Sequence, residues 1–179
     1  MEIKQTRLPG VLVIKPAVFG DSRGLFKETY NQRRYYEAGL DMPFVQDNYS
    51  VSQKKVIRGL HIQVKKPQGK LVWCSEGSVL DVVADINPKS ATFGQHICVE
   101  LSDDNHLQLW VPPGFAHGFC VLSPLAKFQY KCTEFYDPKD ESGVIWNDPD
   151  LSVKWPAFDP VISKKDSELP TLKDLVSNQ

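Results

Sequence analysis

Short apolar runs, broken at close intervals by turn residues, constrain this chain more than any other feature. Turn signals fall at Gly20-Asp21, Pro67-Gln68-Gly69, Glu76-Gly77, Pro88-Lys89, Asp103-Asp104-Asn105 and Pro112-Pro113-Gly114. Between them stand "VLVIKPAVF", "LVWCS", "SVLDVVADI", "HICVELS", "LQLWVPP", "FCVLS" and "FQYKCTEFY", rich in β-branched and aromatic residues. Repeated strand-and-turn spacing of this kind marks an all-β sandwich or barrel, so the pattern predicts an antiparallel jelly roll. Only "NQRRYYEAG", residues 31–39, reads as helical, with Asn31 as N-cap and Gly39 as stop. No repeat, low-complexity segment or linker interrupts the pattern, and 179 residues predict one domain over 1–179.

The segment "VIRGLHIQVKKPQGKLV", residues 56–72, sets an Arg, a His and several Lys into strand-like sequence. It reads either as the lining of a polar pocket or as a solvated sheet face. Strict alternation puts Gly59, His61 and Gln63 on one face and Arg58, Leu60 and Ile62 on the other. A bulge at Gly59 would turn Arg58 to the side of His61. "SVLDVVADI" likewise carries Asp81, Val83 and Asp85 on one face, which is therefore not simply apolar.

With 21 basic and 22 acidic residues, the net charge is −1 and no dense Lys/Arg run occurs. That balance excludes a nucleic-acid polymer as partner, so an anionic ligand must meet locally placed cations. "MEIKQTRLPG" has no signal-peptide architecture, and no apolar run approaches the roughly 20 residues of a membrane span. The expected location is cytoplasmic. Cys74, Cys98, Cys120 and Cys132 form no CxxC pair and read as buried free thiols.

Eight blocks in order resemble the dTDP-4-dehydrorhamnose 3,5-epimerase family: "DSRGLFKETY", "FVQDNYSVS", "IRGLHIQ", "QGKLVWCSEGSVLDVVADI", "SATFG", "PPGFAHGF", "FQYKCTEFY" and "IWNDPDLSVKWP". The resemblance implies a cupin-type jelly roll with a few short helices, forming a homodimer. It also implies an epimerase acting on a dTDP-linked 4-keto-6-deoxy sugar, with no metal and no redox cofactor. Ile62, where an aromatic residue is usual, Asn87, in place of a frequent Arg, and Lys164, where Glu is common, depart from the family pattern. None of these removes an ionisable group that the chemistry needs.

A ketone at C4 acidifies the C–H bonds at C3 and C5, because the carbanion delocalises as an enolate. Inverting either carbon needs a base on one face, an acid on the other, and stabilisation of the oxyanion. By the resemblance, His61 is the base, Asp166 steadies its imidazole, Lys70 supports the enolate oxygen and Tyr130 is the acid. Matching positions nominate Arg23, Phe26, Glu28, Gln46, Asp47, Asn48, Arg58, His117, Tyr136, Glu141 and Lys165 for substrate binding. Arginine supplies forked donors to phosphate, and Tyr136 matches a residue that stacks on thymine. If no bulge intervenes, Tyr136 shares strand parity with Tyr130.

Two other readings stay open at this stage. Many cupins hold a metal through an HxH pair, but here the pair reads His61-Ile62-Gln63, followed by a lysine-rich loop that repels cations. A sugar-nucleotide binding module without catalysis is the third.

Overall fold

The computed structural model describes residues 1–156 and 159–177. Two antiparallel sheets face one another. The first runs in the order β1 (Glu2–Gln5), β2 (Leu12–Lys15), β10 (Gln108–Val111), β7 (Lys70–Glu76), β12 (Leu125–Cys132) and β5 (Gln46–Gln53). The second runs β13 (Glu141–Gly143), β6 (Ile57–Gln63), β11 (Phe115–Val121), β8 (Ser78–Asp85) and β9 (His96–Ser102). A separate hairpin pairs β3 (Val18–Asp21) with β4 (Gly24–Lys27). The predicted run "VLVIKPAVF" is thus divided at Pro16, which lacks the N–H a ladder requires.

Alternation along the strands fills the space between the sheets. Val72, Cys74, Leu109 and Phe128 from the first sheet pack with Val79, Val83, Leu101 and Phe119 from the second. The rings of Phe119 and Phe128 stack across this space, with centroids 4.3 Å apart.

Each sheet is also covered on its outer face. Helix α1 (Gln32–Glu37) lays Tyr35 on the first sheet against Leu12, Leu71 and Trp110. Its start is capped by Asn31, whose side chain accepts from the backbone N–H of Arg34 at 3.3 Å. The chain leaves through Gly39 at φ +90°, a region that suits glycine. The buried phenol of Tyr35 donates to Gln108 Oε1 at 2.6 Å, which ties the helix to β10. On the far side, Leu151 and Leu172 cover Leu60, Val82 and Ala116 of the second sheet. Between those two cover residues lies α2 (Lys164–Ser167), which is thereby carried to β6.

Strands β6 and β11 approach more closely than side chains would allow. His117 is paired with His61 and Phe119 with Arg58, so three steps along β6 match two along β11. The extra residue is the bulge predicted at Gly59. A Cβ on Gly118 would stand 2.5 Å from the Arg58 carbonyl oxygen, and one on Gly59 would stand 2.6 Å from that of His117. Glycine at both positions is a consequence of this contact.

Three cysteines are buried free thiols, but Cys98 is exposed on β9, an edge strand of the second sheet. Its parity sets it opposite the inward Ile97 and Val99.

Candidate active site

A cavity of about 610 Å³ opens between the sheets, within the range typical of small-molecule sites. Its walls come from β6 and β11 on one side and from β5, β7 and β12 on the other. The bulge on β6 sets Arg58 and His61 into the same cavity, as expected.

His61 Nε2 lies 2.8 Å from Asp166 Oδ1. An ionised carboxylate only accepts, so Nε2 carries the proton and donates, leaving the Nδ1 lone pair of the neutral ring free. Nδ1 lies 3.7 Å from Glu141 Oε1, on the cavity side. Burial pushes the Asp166 carboxyl up. The imidazole and the N–H of Gly59, which donates to Oδ2 at 3.1 Å, outweigh that and hold it below the usual carboxylate value.

Tyr130 reaches the cavity from the opposite sheet. Burial raises its phenol to about 12, so it retains its proton at ordinary pH. Lys70 enters from β7, 8% exposed, with no carboxylate within ion-pair distance among the described residues. Burial lowers its pKa, and a negative oxygen arriving beside it would favour the ammonium. The cavity thus holds an imidazole on one wall, a protonated phenol on the other and a lysine without a carboxylate partner among the described residues.

At the mouth, the Tyr136 hydroxyl donates to Glu141 Oε2 at 2.5 Å, and Lys165 pairs with the same carboxylate. Burial raises Glu141, but Lys165 and Tyr136 more than offset it and hold the carboxyl low. Gln46 and Asn48 line the wall on β5, where Gln46 Oε1 accepts from the backbone N–H of Tyr136 at 2.9 Å.

Four nominated residues lie elsewhere, Lys165 stands at the mouth without lining the cavity, and one reaches the cavity differently from expectation. Asp47 is turned to the opposite face of β5 from Gln46 and Asn48 by the two-residue period, and pairs with Lys131 at 2.8 Å. Arg23 and Phe26 lie on the β3–β4 hairpin, outside the cavity of the single chain, where Arg23 pairs with Asp21. Glu28 follows that hairpin and is bound to Arg34 and Asn31 at the start of α1. Tyr136 does line the cavity, but from the loop beyond β12, because that strand ends at Cys132. The parity argument for it fails for that reason.

The structure adds residues that the sequence left unassigned. Asp81, fully buried, places both oxygens 2.9 Å from His117 Nε2. Burial drives its carboxyl upward, against the pull of the imidazole. Its parity with Val83 was the available signal: an acid in an inward row requires a partner. Gln63 donates to the carbonyls of Lys66 and Phe135, and its Oε1 accepts from the N–H of Asp137. That side chain fixes the loop bearing Tyr136. Among the described residues, no group of three or more His, Cys, Asp or Glu side chains is arranged to hold a metal ion.

Known proteins match the chain along most of its length. The chain is 49% identical over 168 residues to the dTDP-4-dehydrorhamnose 3,5-epimerase of Shigella flexneri, covering 93% of each protein. It is 48% identical to the enzyme of the same name from Escherichia coli K12, covering 98% of this chain and 97% of that one. Its fold superimposes with a TM-score of 0.93 on a dTDP-6-deoxy-D-glucose-3,5-epimerase from Legionella pneumophila, solved in complex with dTDP-4-keto-L-rhamnose. That protein is 46% identical, and the match covers 96% of this chain and 93% of that one. A Bacillus anthracis dTDP-4-dehydrorhamnose 3,5-epimerase with TDP and PPi bound has the same TM-score at 43% identity, covering 95% and 98% of the two chains. The profile described as dTDP-4-dehydrorhamnose 3,5-epimerase matches residues 5–174. This cupin-type jelly roll, matched along nearly its whole length by these isomerases, belongs to the dTDP-4-dehydrorhamnose 3,5-epimerase family.

Proposed function

We propose that this chain inverts C3 and C5 of dTDP-4-dehydro-6-deoxy-D-glucose, giving dTDP-4-dehydro-L-rhamnose for dTDP-L-rhamnose biosynthesis. The observation that carries the reading is the approach of His61 and Tyr130 to one cavity from opposite sheets. Epimerisation requires this opposition, since the proton must leave one face of the carbon and return to the other.

His61 Nδ1 takes the proton from the carbon next to the ketone, and Asp166 holds the imidazolium that results. The electron pair moves onto the C4 oxygen, where the Lys70 ammonium balances its charge. Tyr130 then delivers its phenol proton to the opposite face. The C–H bond broken and the C–H bond formed are at the same carbon, so no redox partner or metal enters the balance. His117, steadied by Asp81, adds a hydrogen-bonding group to the wall shared with His61.

Tyr136 stacks on the thymine at the mouth. Arg58 directs its guanidinium at diphosphate or sugar oxygens, while Gln46, Asn48, Glu141 and Lys165 complete the polar contacts. The working unit is a homodimer of single-domain chains. Its interface includes the β3–β4 hairpin, whose Phe19, Leu25 and Phe26 are exposed by 64%, 57% and 70%. In that assembly the hairpin of one protomer brings Arg23 and Phe26 to the mouth of its partner's cavity.

The test is incubation of the purified protein with dTDP-4-keto-6-deoxyglucose in heavy water. NMR should find deuterium at both C3 and C5 of an epimerised product. No exchange at either carbon would refute the assignment, and exchange at C3 alone would make the chain a mono-epimerase.

A further inference from the structure

Arg58 enters the cavity through a local irregularity and is held there by one side chain. On a regular strand it would turn outward with Leu60, and the bulge at Gly59 brings it inward instead. Arg58 is exposed, has no ion-pair partner and makes one side-chain hydrogen bond among the described residues. In that bond Nε donates to Ser52 Oγ at 3.1 Å.

Ser52 belongs to the other sheet. It lies on β5 in register with Ala126 of β12, is 4% exposed, and does not line the cavity. The corner leading from it to β6 is anchored. There the N–H groups of Lys54 and Lys55 donate to the carbonyls of Pro124 and Val121, each at 3.1 Å. The bond thus joins a fixed post behind the wall to a long side chain inside it.

The choice of nitrogen matters. Engaging Nε leaves the end of the guanidinium open, where Nη1 and Nη2 present parallel N–H donors. That fork takes two oxygens at once. An arginine free to rotate gives up that freedom when it meets a ligand, and one already held gives up less.

We infer that Ser52 is a positioning residue for substrate binding: by accepting from Nε, it holds Arg58 with its forked end turned to the oxygens of the sugar nucleotide. This rests on the reading of the cavity as a dTDP-sugar site. The ligand chemistry is a pair of oxygens carried either by the diphosphate or by the hexose.

Calorimetric titrations with dTDP and with dTDP-glucose test this in single and double variants. Ser52→Ala should weaken binding by about 3- to 10-fold, the worth of one net hydrogen bond. Arg58→Met should weaken it further, and adding Ser52→Ala to that variant should cost nothing more. Such non-additivity marks a residue that acts through Arg58. A residue that merely shapes the cavity would show the same loss in both backgrounds. Ser52→Cys, which keeps the volume with a poorer acceptor, gives the same comparison should the alanine variant not fold. Loss with both probes assigns the oxygens to the diphosphate, and loss with dTDP-glucose alone assigns them to the hexose. Unchanged affinity of Ser52→Ala for both probes, or an equal loss on top of Arg58→Met, would overturn the inference while leaving the site reading intact. Failure of the wild-type protein to bind either probe would instead remove the site reading, and this inference with it.

Discussion

His61 and His117 are direct register partners on β6 and β11, and each imidazole has its own carboxylate, Asp166 for one and Asp81 for the other. The two pairs differ in exposure. His61 keeps 29% of its side chain open, whereas His117 keeps 8% and Asp81 none. A group that exchanges protons with substrate and then with solvent needs that access. His61 has it, and His117 is suited to hold a fixed hydrogen bond.

Replacing each partner of the proposed acid–base pair should leave a different isotope signature. His61→Asn should abolish deuterium entry at C3 and C5. Tyr130→Phe should reduce epimerised product by about 10²–10⁴-fold, the usual contribution of one such group. Some deuterium should still enter with retained configuration, because His61 can return a solvent-derived proton to the face it came from. Equal loss of exchange and product in Tyr130→Phe would reassign Tyr130 to substrate placement.

Acid should weaken the fold partly through Asp166. Its folded pKa is depressed, so its contribution is present above the unfolded value, about pH 3.9, and is lost as pH falls through the folded value. Urea titrations of the wild type from about pH 6 down to 3 should therefore show falling stability. Asp166→Asn should be less stable at pH 6 and should flatten the lower part of that slope. Parallel pH curves for the two proteins would contradict the linkage.

Tyr136→Ala should weaken dTDP binding by about 1–3 kcal/mol, the range for stacking of a base on an aromatic ring. The Lys165–Glu141 pair does not need the ring to form, so the mouth should stay ordered. Unchanged calorimetric affinity would remove Tyr136 from the nucleotide site.

The hairpin can be tested through assembly. Phe26→Asp puts a charge on a side chain that is 70% exposed in the single chain, so a monomer should fold normally. Sedimentation should shift from dimer towards monomer, and dTDP affinity should fall with it. A dimer of undiminished stability would place the interface elsewhere.

The sandwich was legible because its strands are short, apolar and bounded by Gly, Pro and Asp. Strand β5, "QDNYSVSQ", was not legible from pattern alone, since its inward face is polar where it lines the cavity. The same polarity hid Ser52, whose bond to Arg58 depends on what stands opposite. His61 and Asp166 were paired only through the resemblance, because 105 residues separate them and no local period links them. Asp47 was misplaced for the opposite reason: a matched block carries every residue in it, while a strand shows only alternate ones to the cavity.

The long separation of His61 from Asp166 also orders events at the ribosome. Both sheets are complete in sequence once Gly143 has been made, yet the carboxylate that holds the His61 imidazole is translated later. At that point His61 still lacks its anchor, and Leu60, Val82 and Ala116 still lack the cover of Leu151 and Leu172. The segment after Gly143 therefore supplies both at once, and a chain interrupted before it would have an uncovered second sheet as well as an imidazole without its carboxylate.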